Sequence, residues 1–386
     1  MTLATPDAPS VLIADDQPDV LDALRLLLNP EGIRTHAVQS PSAVLQALGE
    51  TEYDLLLMDL NYARDTTSGR EGLDLLAQVH ALDPHLPILV MTGWATLEIA
   101  VEALRHGVRD FVQKPWENER VVAAVRTQAE ARREARRRAA RQAREQAEAR
   151  EMQRALLPHQ LPAIDGWDIE ARCEPAECVG GDTYDVIRLD ERRWAFSLGD
   201  VSGKGIPAAL LASNLQAAVR AAAAKDLGPA SLCREVNRSL CASLAPWRFV
   251  TYFYGVLDTV SGEFRYSNAG HLPPLHLAAD GSVTRLDAGG IVLGIAEDSE
   301  YREGVTHLAP GDRLIIYTDG LSEACTDDGE EFGEEGLARA ASAAGDVVAP
   351  QLPAEAALSA VFDAVRNFGT APFQDDRTAL VVARTA

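Results

Sequence analysis

Gly180-Gly181-Asp182-Thr183-Tyr184-Asp185 and, a strand further on, Leu198-Gly199-Asp200-Val201-Ser202-Gly203-Lys204-Gly205 set two carboxylates, Asp182 and Asp200, beside glycine-rich turns. Between them Trp194-Ala195-Phe196-Ser197-Leu198 reads as a buried strand, with Asp200 just beyond its end and Gly199, Gly203 and Gly205 giving backbone freedom there. Carboxylates at strand ends, with glycines that let carbonyls and waters come close, are what a hard divalent cation needs. The same residues suit a plainer role, since aspartates cap turns and helices and Gly-Lys-Gly before an Ala/Leu helix also serves as a helix start.

Two later stretches repeat the pattern. Leu314-Ile315-Ile316-Tyr317-Thr318-Asp319-Gly320 is an apolar strand followed by Asp-Gly, and Asp375-Asp376-Arg377-Thr378 precedes a last strand, Ala379-Leu380-Val381-Val382. An isolated Asp-Gly is usually a turn, but acids at four strand edges can converge on one cluster. Helices are expected over Ile206 to Ala224, Ala230 to Leu244 and Ala354 to Phe368. Phe249 to Asp258 and Glu263 to Ser267 alternate as paired strands around Ser261-Gly262, so two sheets flanked by helices are expected.

From about Leu156 onward the chain resembles the bacterial PP2C-like (PPM) serine/threonine phosphatases of the stress-response and sporulation regulator type. The matching stretches, in the family's order, are Leu156-Leu157-Pro158, Gly180-Gly181-Asp182, Gly199 to Gly205, Asn268-Ala269-Gly270-His271, Tyr317-Thr318-Asp319-Gly320 and Asp375-Asp376-Arg377-Thr378. The resemblance implies an α+β sandwich and two Mn2+ or Mg2+ ions, which acidify a water and clamp the phosphate oxygens. It implies that Asp200 bridges the ions, the Val201 carbonyl ligates one, Asp319 and Asp375 the other, and Asp182 acts directly or through water. Asp185 and Asp376 are candidates to stand behind these ligands, and His271 either lines the site or is held structurally by its turn. Two places depart from the larger eukaryotic-type relatives: Glu177 stands where they carry a phosphate-binding Arg, and Ser202 where they carry a His.

The first third has a different rhythm. Val11 to Asp16, Tyr53 to Asp59, Ile88 to Thr92 and Asp110 to Pro115 are short apolar runs, the first two closing on acids and the last on Lys-Pro, with helical segments between. This βα repeat implies a doubly wound parallel sheet with its functional groups at the carboxyl ends of the strands. A nucleotide-binding α/β domain would carry Gly-x-Gly-x-x-Gly after the first strand, where Asp15-Asp16 stands instead.

These residues resemble the receiver domain of two-component response regulators, with its flavodoxin-like fold. The likeness implies Asp59 as phosphoacceptor from a histidine kinase, Asp15 and Asp16 with Asp59 holding Mg2+, Thr92 and Lys114 contacting the attached phosphoryl group, and Phe111 as the aromatic switch residue. Three acids share a small pocket only with a cation present, which fits that metal. The loop Leu60 to Gly69 is longer than usual and lacks the common Met-Pro, as in some regulators with ATPase outputs.

The domain plan is therefore a receiver over 10–125, a helical linker over 117–157 and a PP2C-like domain over 158–386. From Glu117 to Arg154 the chain holds no Gly or Pro, and Arg132, Arg133, Arg136, Arg137, Arg138, Arg141 and Arg144 make its middle basic. Interleaved Glu and the lack of large apolar side chains disfavour a membrane-surface helix. The expected role is a coiled-coil linker forming a homodimer through an Ala seam, with Val122, Val125, Met152 and Leu156 toward its ends.

Composition bounds the rest. A formal charge of −22 over 386 residues argues against a general nucleic-acid binder. No run reaches membrane-span length and Met1 to Ser10 lacks a signal-like core, so a cytoplasmic protein is expected, without a membrane partner. Cys173, Cys178, Cys233, Cys241 and Cys325 form no Cys-x-x-Cys pair and read as reduced thiols. The expected function is a response regulator whose metal-dependent phosphatase acts on phosphoserine or phosphothreonine, by family analogy in a STAS-type anti-sigma-factor antagonist. The alternative is a catalytically silent module that sequesters a partner. An ATPase-type activator fails, because a P-loop needs Gly at Leu198 and Ser or Thr at Gly205.

Overall fold

In the computed structural model, strand β1 (Ser10–Ala14) leads into α1 (Pro18–Leu28), and the alternation continues through β2 (Arg34–Val38), α2 (Pro41–Glu50), β3 (Leu55–Asp59), α3 (Arg70–Leu82), β4 (Ile88–Thr92), α4 (Leu97–Arg105) and β5 (Val108–Gln113). The structure describes residues 8–62, 70–93, 97–158, 160–243, 247–344, 347–348, 353–369 and 375–385. Most of the long loop after Asp59 lies outside them. All five strands are parallel, in the order β2-β1-β3-β4-β5. The order reverses between β1 and β3, which opens a crevice at their carboxyl ends. Strands β3 and β4 are buried throughout, which is why both read as unbroken apolar runs.

Helix α5 (Asn118–Leu156) is continuous over 39 residues. The chain folds as two units, 1–144 and 145–386, so the division falls inside this helix. Its first turns belong to the parallel-sheet unit: Val121, Val125 and Ala129 are buried with Val11, Ile13 and Met91, and Val122 packs on the same core. This corrects the expected seam at Val122 and Val125 alone, because the receiver core already uses the apolar face that would hold them between two chains. Arg132 pairs with Asp83 at 2.7 Å, and Arg136 pairs with Glu52, so part of the basic stretch meets acids of its own unit.

The second unit contains β6 (Trp167–Glu174), β7 (Thr183–Arg188), β8 (Arg193–Val201), α6 (Gly205–Ala223), α7 (Pro229–Ser243), β9 (Val250–Asp258) and β10 (Glu263–Ala269). Then follow β11 (Leu275–Leu277), β12 (Val283–Arg285), β13 (Gly289–Gly290), β14 (Gly304–His307), β15 (Arg313–Tyr317), α8 (Asp319–Ser322) and α9 (Gly333–Ser342). The short pair β16 (Ala343–Ala344) and β17 (Val347–Val348), α10 (Ala354–Phe368) and β18 (Arg377–Arg384) complete it. One sheet runs β13-β10-β9-β8-β7 with β14 beside β10, and the other runs β12-β11-β15-β18-β6.

Alternation sorts the side chains into layers. Phe196 and Leu198 of β8 meet Leu314 and Ile316 of β15 and Leu380 and Val382 of β18 in a core between the sheets. Ala195 and Val201 face α6 and α7, while Ile315, Tyr317 and Val381 face α9 and α10. The result is a helix-sheet-sheet-helix sandwich. Strand β8 runs further than its apolar stretch, through Asp200 to Val201, because Asp200 pairs with Thr251 and Val201 with Val250. Among the described residues no helix is long and apolar enough to cross a membrane.

Candidate functional site

In the parallel-sheet unit, β1 and β3 end side by side at the crevice and deliver Asp15, Asp16 and Asp59, whose ligand oxygens all lie within 4.8 Å of one another. Lys114, just after β5, donates from Nζ to Asp15 Oδ2 at 2.7 Å and to Asp59 Oδ2 at 2.8 Å. The Gln17 amide donates to the other Asp15 oxygen at 3.0 Å. Burial pushes the Asp15 carboxyl up, against the lowering effect of the Lys114 and Gln17 hydrogen bonds. Burial pulls Lys114 down, but its two carboxylate bonds outweigh this and hold the ammonium above its usual range. Thr92 is buried at the end of β4, and its carbonyl accepts the Lys114 amide at 2.9 Å. Phe111 is half-buried against the core, level with Val90.

In the sandwich unit, pairing brings the other acids to one end. Thr183 pairs with Gly199, so Asp182 and Asp200 flank neighbouring positions in one sheet. Tyr317 pairs with Ala379, so Asp319 and Asp375 leave the same end of the other. Thr318 joins the sheets: its Oγ1 donates to Asp182 Oδ2 at 2.8 Å and accepts the Thr378 amide at 3.0 Å. Asp376 accepts the amides of Ala176 at 2.8 Å and Gly181 at 2.6 Å, which fixes the turn that carries Asp182. A Cβ on Gly181 would stand 2.7 Å from the Val201 carbonyl, so that oxygen faces the same turn. Lys204 Nζ lies 3.1 Å from Asp375 Oδ2.

Electrostatics binds the group together. Burial, then Asp319, Asp375 and Asp376, pushes Asp200 up to about 7. Burial, then Asp375 and Glu323, pushes Asp319 up to about 6, and burial followed by Asp200 raises Asp182 well above the carboxylate range. Acids that repel one another where burial limits their hydration take up protons or cations, and carboxylates grouped near the Val201 carbonyl are hard oxygen donors that suit Mg2+ or Mn2+. A pair of ions spreads its ligands more widely than one ion does, and among the described residues only Asp15, Asp16 and Asp59 form a trio as tight as a single ion needs.

The remaining candidates sort by contact. Asp185 faces α6, where Arg220 grips it at 2.6 and 3.2 Å. His271 is buried; its ring Nδ1 shares a hydrogen bond with Thr251 Oγ1 at 2.8 Å and its amide donates to Asn268 at 2.7 Å. Burial pulls this imidazole down to about 4, so it is neutral at physiological pH. Sequence reasoning missed Thr318 and also Gln153, which binds Gly180 twice, donating to its carbonyl at 2.6 Å and accepting its amide at 3.0 Å. Thr318 sat inside a quoted motif, whereas nothing near Gln153 in the sequence marks it out.

The stage II sporulation protein E (SpoIIE) model matches residues 190–385, and the response regulator receiver domain model matches residues 11–126. The chain belongs to the SpoIIE family. This SpoIIE-family chain is 32% identical over 182 residues to the phosphoserine phosphatase RsbU of Bacillus subtilis, covering 47% of this chain and 54% of that one. It is 27% identical to the phosphoserine phosphatase RsbP of the same organism over 45% of this chain and 44% of that one, so it spans about half the length of these relatives. The structure of the SiaA PP2C domain of Pseudomonas aeruginosa is similar at 25% identity and a TM-score of 0.54, covering 62% of this chain and 96% of that domain. The chain thus combines a receiver domain with a SpoIIE-type, PP2C-like domain.

Proposed function

We propose that this chain is a response regulator in which phosphorylation of Asp59 by a histidine kinase controls a metal-dependent phosphatase acting on phosphoserine or phosphothreonine in a protein. The convergence of Asp182, Asp200, Asp319 and Asp375 from two sheets on one end of the sandwich, with three of them raised by burial and mutual repulsion, carries this reading. The names of the RsbU and RsbP relatives support it, and a phosphorylated STAS-type antagonist is the substrate we infer.

Divalent ions held by Asp200, the Val201 carbonyl, Asp319, Asp375 and Asp182 would activate the attacking water and offset phosphate charge. The chain's own part is placement. Thr318 fixes the Asp182 carboxylate, Asp376 holds the turn behind it, and Lys204 adds positive charge beside Asp375. In the receiver, Asp15, Asp16 and Asp59 would hold an Mg2+ ion, which would supply positive charge to offset that of a phosphoryl group. As its bond to the kinase histidine breaks and a new P–O bond forms on Asp59, Lys114 stays beside the growing charge. Helix α5, which starts on the receiver core and ends with Gln153 bonded to Gly180, is the proposed route of control.

The test is Mn2+-dependent phosphate release from a phosphorylated STAS-type protein, with and without beryllofluoride to mimic phosphorylated Asp59. Release that changes with the mimic, and is lost in Asp319→Asn, is expected. No release under either condition would replace this reading with the sequestering module.

A further inference from the structure

Next to the acids, the same end of the sandwich carries large apolar side chains that the described residues leave exposed. Ile206 and Leu210 lie one turn apart on α6, directly after the Asp200 to Gly205 segment, and are 55% and 67% exposed. On the approach to β9, Trp247 is 76% exposed and Phe249 37%. Ile291 and Ile295, which follow β13, are exposed as well.

Backbone pairing sets these segments side by side. The Ser202 amide donates to the Phe249 carbonyl at 3.0 Å, and the Phe249 amide donates to Ser202 Oγ at 3.0 Å. Val250 and Leu293 exchange both backbone bonds, at 3.0 and 2.9 Å. Three strands' worth of backbone therefore run in the order 202, 249, 293, each about 5 Å from the next. Arg248 locks the middle one to the acid-bearing loop: it donates to the Ser202 carbonyl, and its guanidinium covers Gly203, whose φ of +101° and missing Cβ leave it room. The apolar strip begins where the acids end.

Large apolar side chains left exposed together on neighbouring segments mark interaction surfaces more often than singly scattered ones do. A second copy is a poor occupant, because self-pairing over this strip would bring two acidic centres together in chains of charge −22. The strip borders the Asp200 loop through the Ser202–Phe249 pairing, so a protein whose phosphoserine reached Asp200 would lie against it. We propose that Ile206, Leu210, Trp247, Phe249, Ile291 and Ile295 form the docking surface for a folded phosphoprotein that presents apolar surface around its phosphoserine. This rests on the phosphatase reading and adds that recognition reads a folded surface instead of a local peptide sequence.

The experiment compares Mn2+-dependent hydrolysis of three probes by the full chain: an intact phosphorylated STAS-type protein, the phosphoserine peptide excised from it, and p-nitrophenyl phosphate. In the Ile206→Ser/Leu210→Ser double variant and in Trp247→Ser, kcat/KM for the intact protein is expected to fall about tenfold or more, chiefly through KM. Rates on the peptide and the small ester stay within about twofold, which also shows that the variants fold. Val305→Ser, at an exposed apolar site on β14, changes none of the three. Equal losses on all probes, or unchanged kcat/KM on the intact protein, overturn the docking proposal and leave the phosphatase reading standing. So does wild-type hydrolysis of the ester without hydrolysis of the intact protein. A variant that changes the sedimentation mass and not the KM marks a self-association surface and also overturns it. A wild-type chain that hydrolyses none of the probes removes both.

Discussion

Thr318 is one hydroxyl doing two jobs: it donates to Asp182 and takes the amide of Thr378, so it ties an acid of one sheet to β18, an interior strand of the other. Thr318→Val keeps the shape and removes the donor. Asp182, only 3% exposed, then loses a partner, at a cost of about 1–3 kcal/mol for a buried polar group. Residues that orient metal-binding carboxylates typically change metal affinity about 10- to 100-fold. The expected outcome is Mn2+ binding weakened by at least about tenfold in calorimetric titration, with little change in secondary structure by circular dichroism. Unchanged Mn2+ affinity would remove Thr318 from the site. The acids themselves were legible because Asp182, Asp200, Asp319 and Asp375 each sit in a short motif. Asp185, expected to stand behind these ligands, is instead turned by strand alternation toward α6, and only the fold shows that Arg220 waits there.

At the scale of elements, the long apolar runs were readable and the short edge strands were not. Helix α10 coincides with the expected Ala354 to Phe368, since its apolar residues recur at helical spacing over four turns. The pair Gly289–Gly290 forms β13 parallel to Asn268–Ala269, a long-range match that two glycines cannot announce. Helix α5 was legible by composition, whereas its burial was not: Val122 and Val125 look like the start of an intermolecular seam until the receiver core claims them. If α5 relays the receiver's state as a rigid rod, Gly/Ser replacement of residues 137–144 breaks the relay, because each interior glycine costs about 1 kcal/mol of helix stability. Beryllofluoride is then expected to leave phosphate release from the phosphoprotein unchanged, while release without it persists. A mimic response of wild-type size in that variant would rule out the rigid helix.

For the whole molecule, the clustered carboxylates set how stability depends on pH and metal. Asp200 and Asp319 are raised to about 7 and about 6 in the fold, while in the unfolded chain they titrate as ordinary carboxylates. A raised folded value means that the protonated form fits the fold best. Its stabilising contribution is therefore complete below the unfolded value, near 4, and fades as pH rises through about 6 to 7. A divalent ion reverses the sign, because it favours the ionised acids and must displace protons to bind. Stabilisation by Mn2+ is then small at pH 5.5 and larger at pH 8, reaching about 2.7 kcal/mol at a free concentration one hundred times the dissociation constant. Scanning calorimetry of the full chain, with Mn2+ against chelator at both values, measures this. The receiver also carries an acid trio, so the part of the increment that disappears in Asp319→Asn belongs to the sandwich. An increment independent of pH, or unaffected by Asp319→Asn, would mean that these acids do not hold the ion.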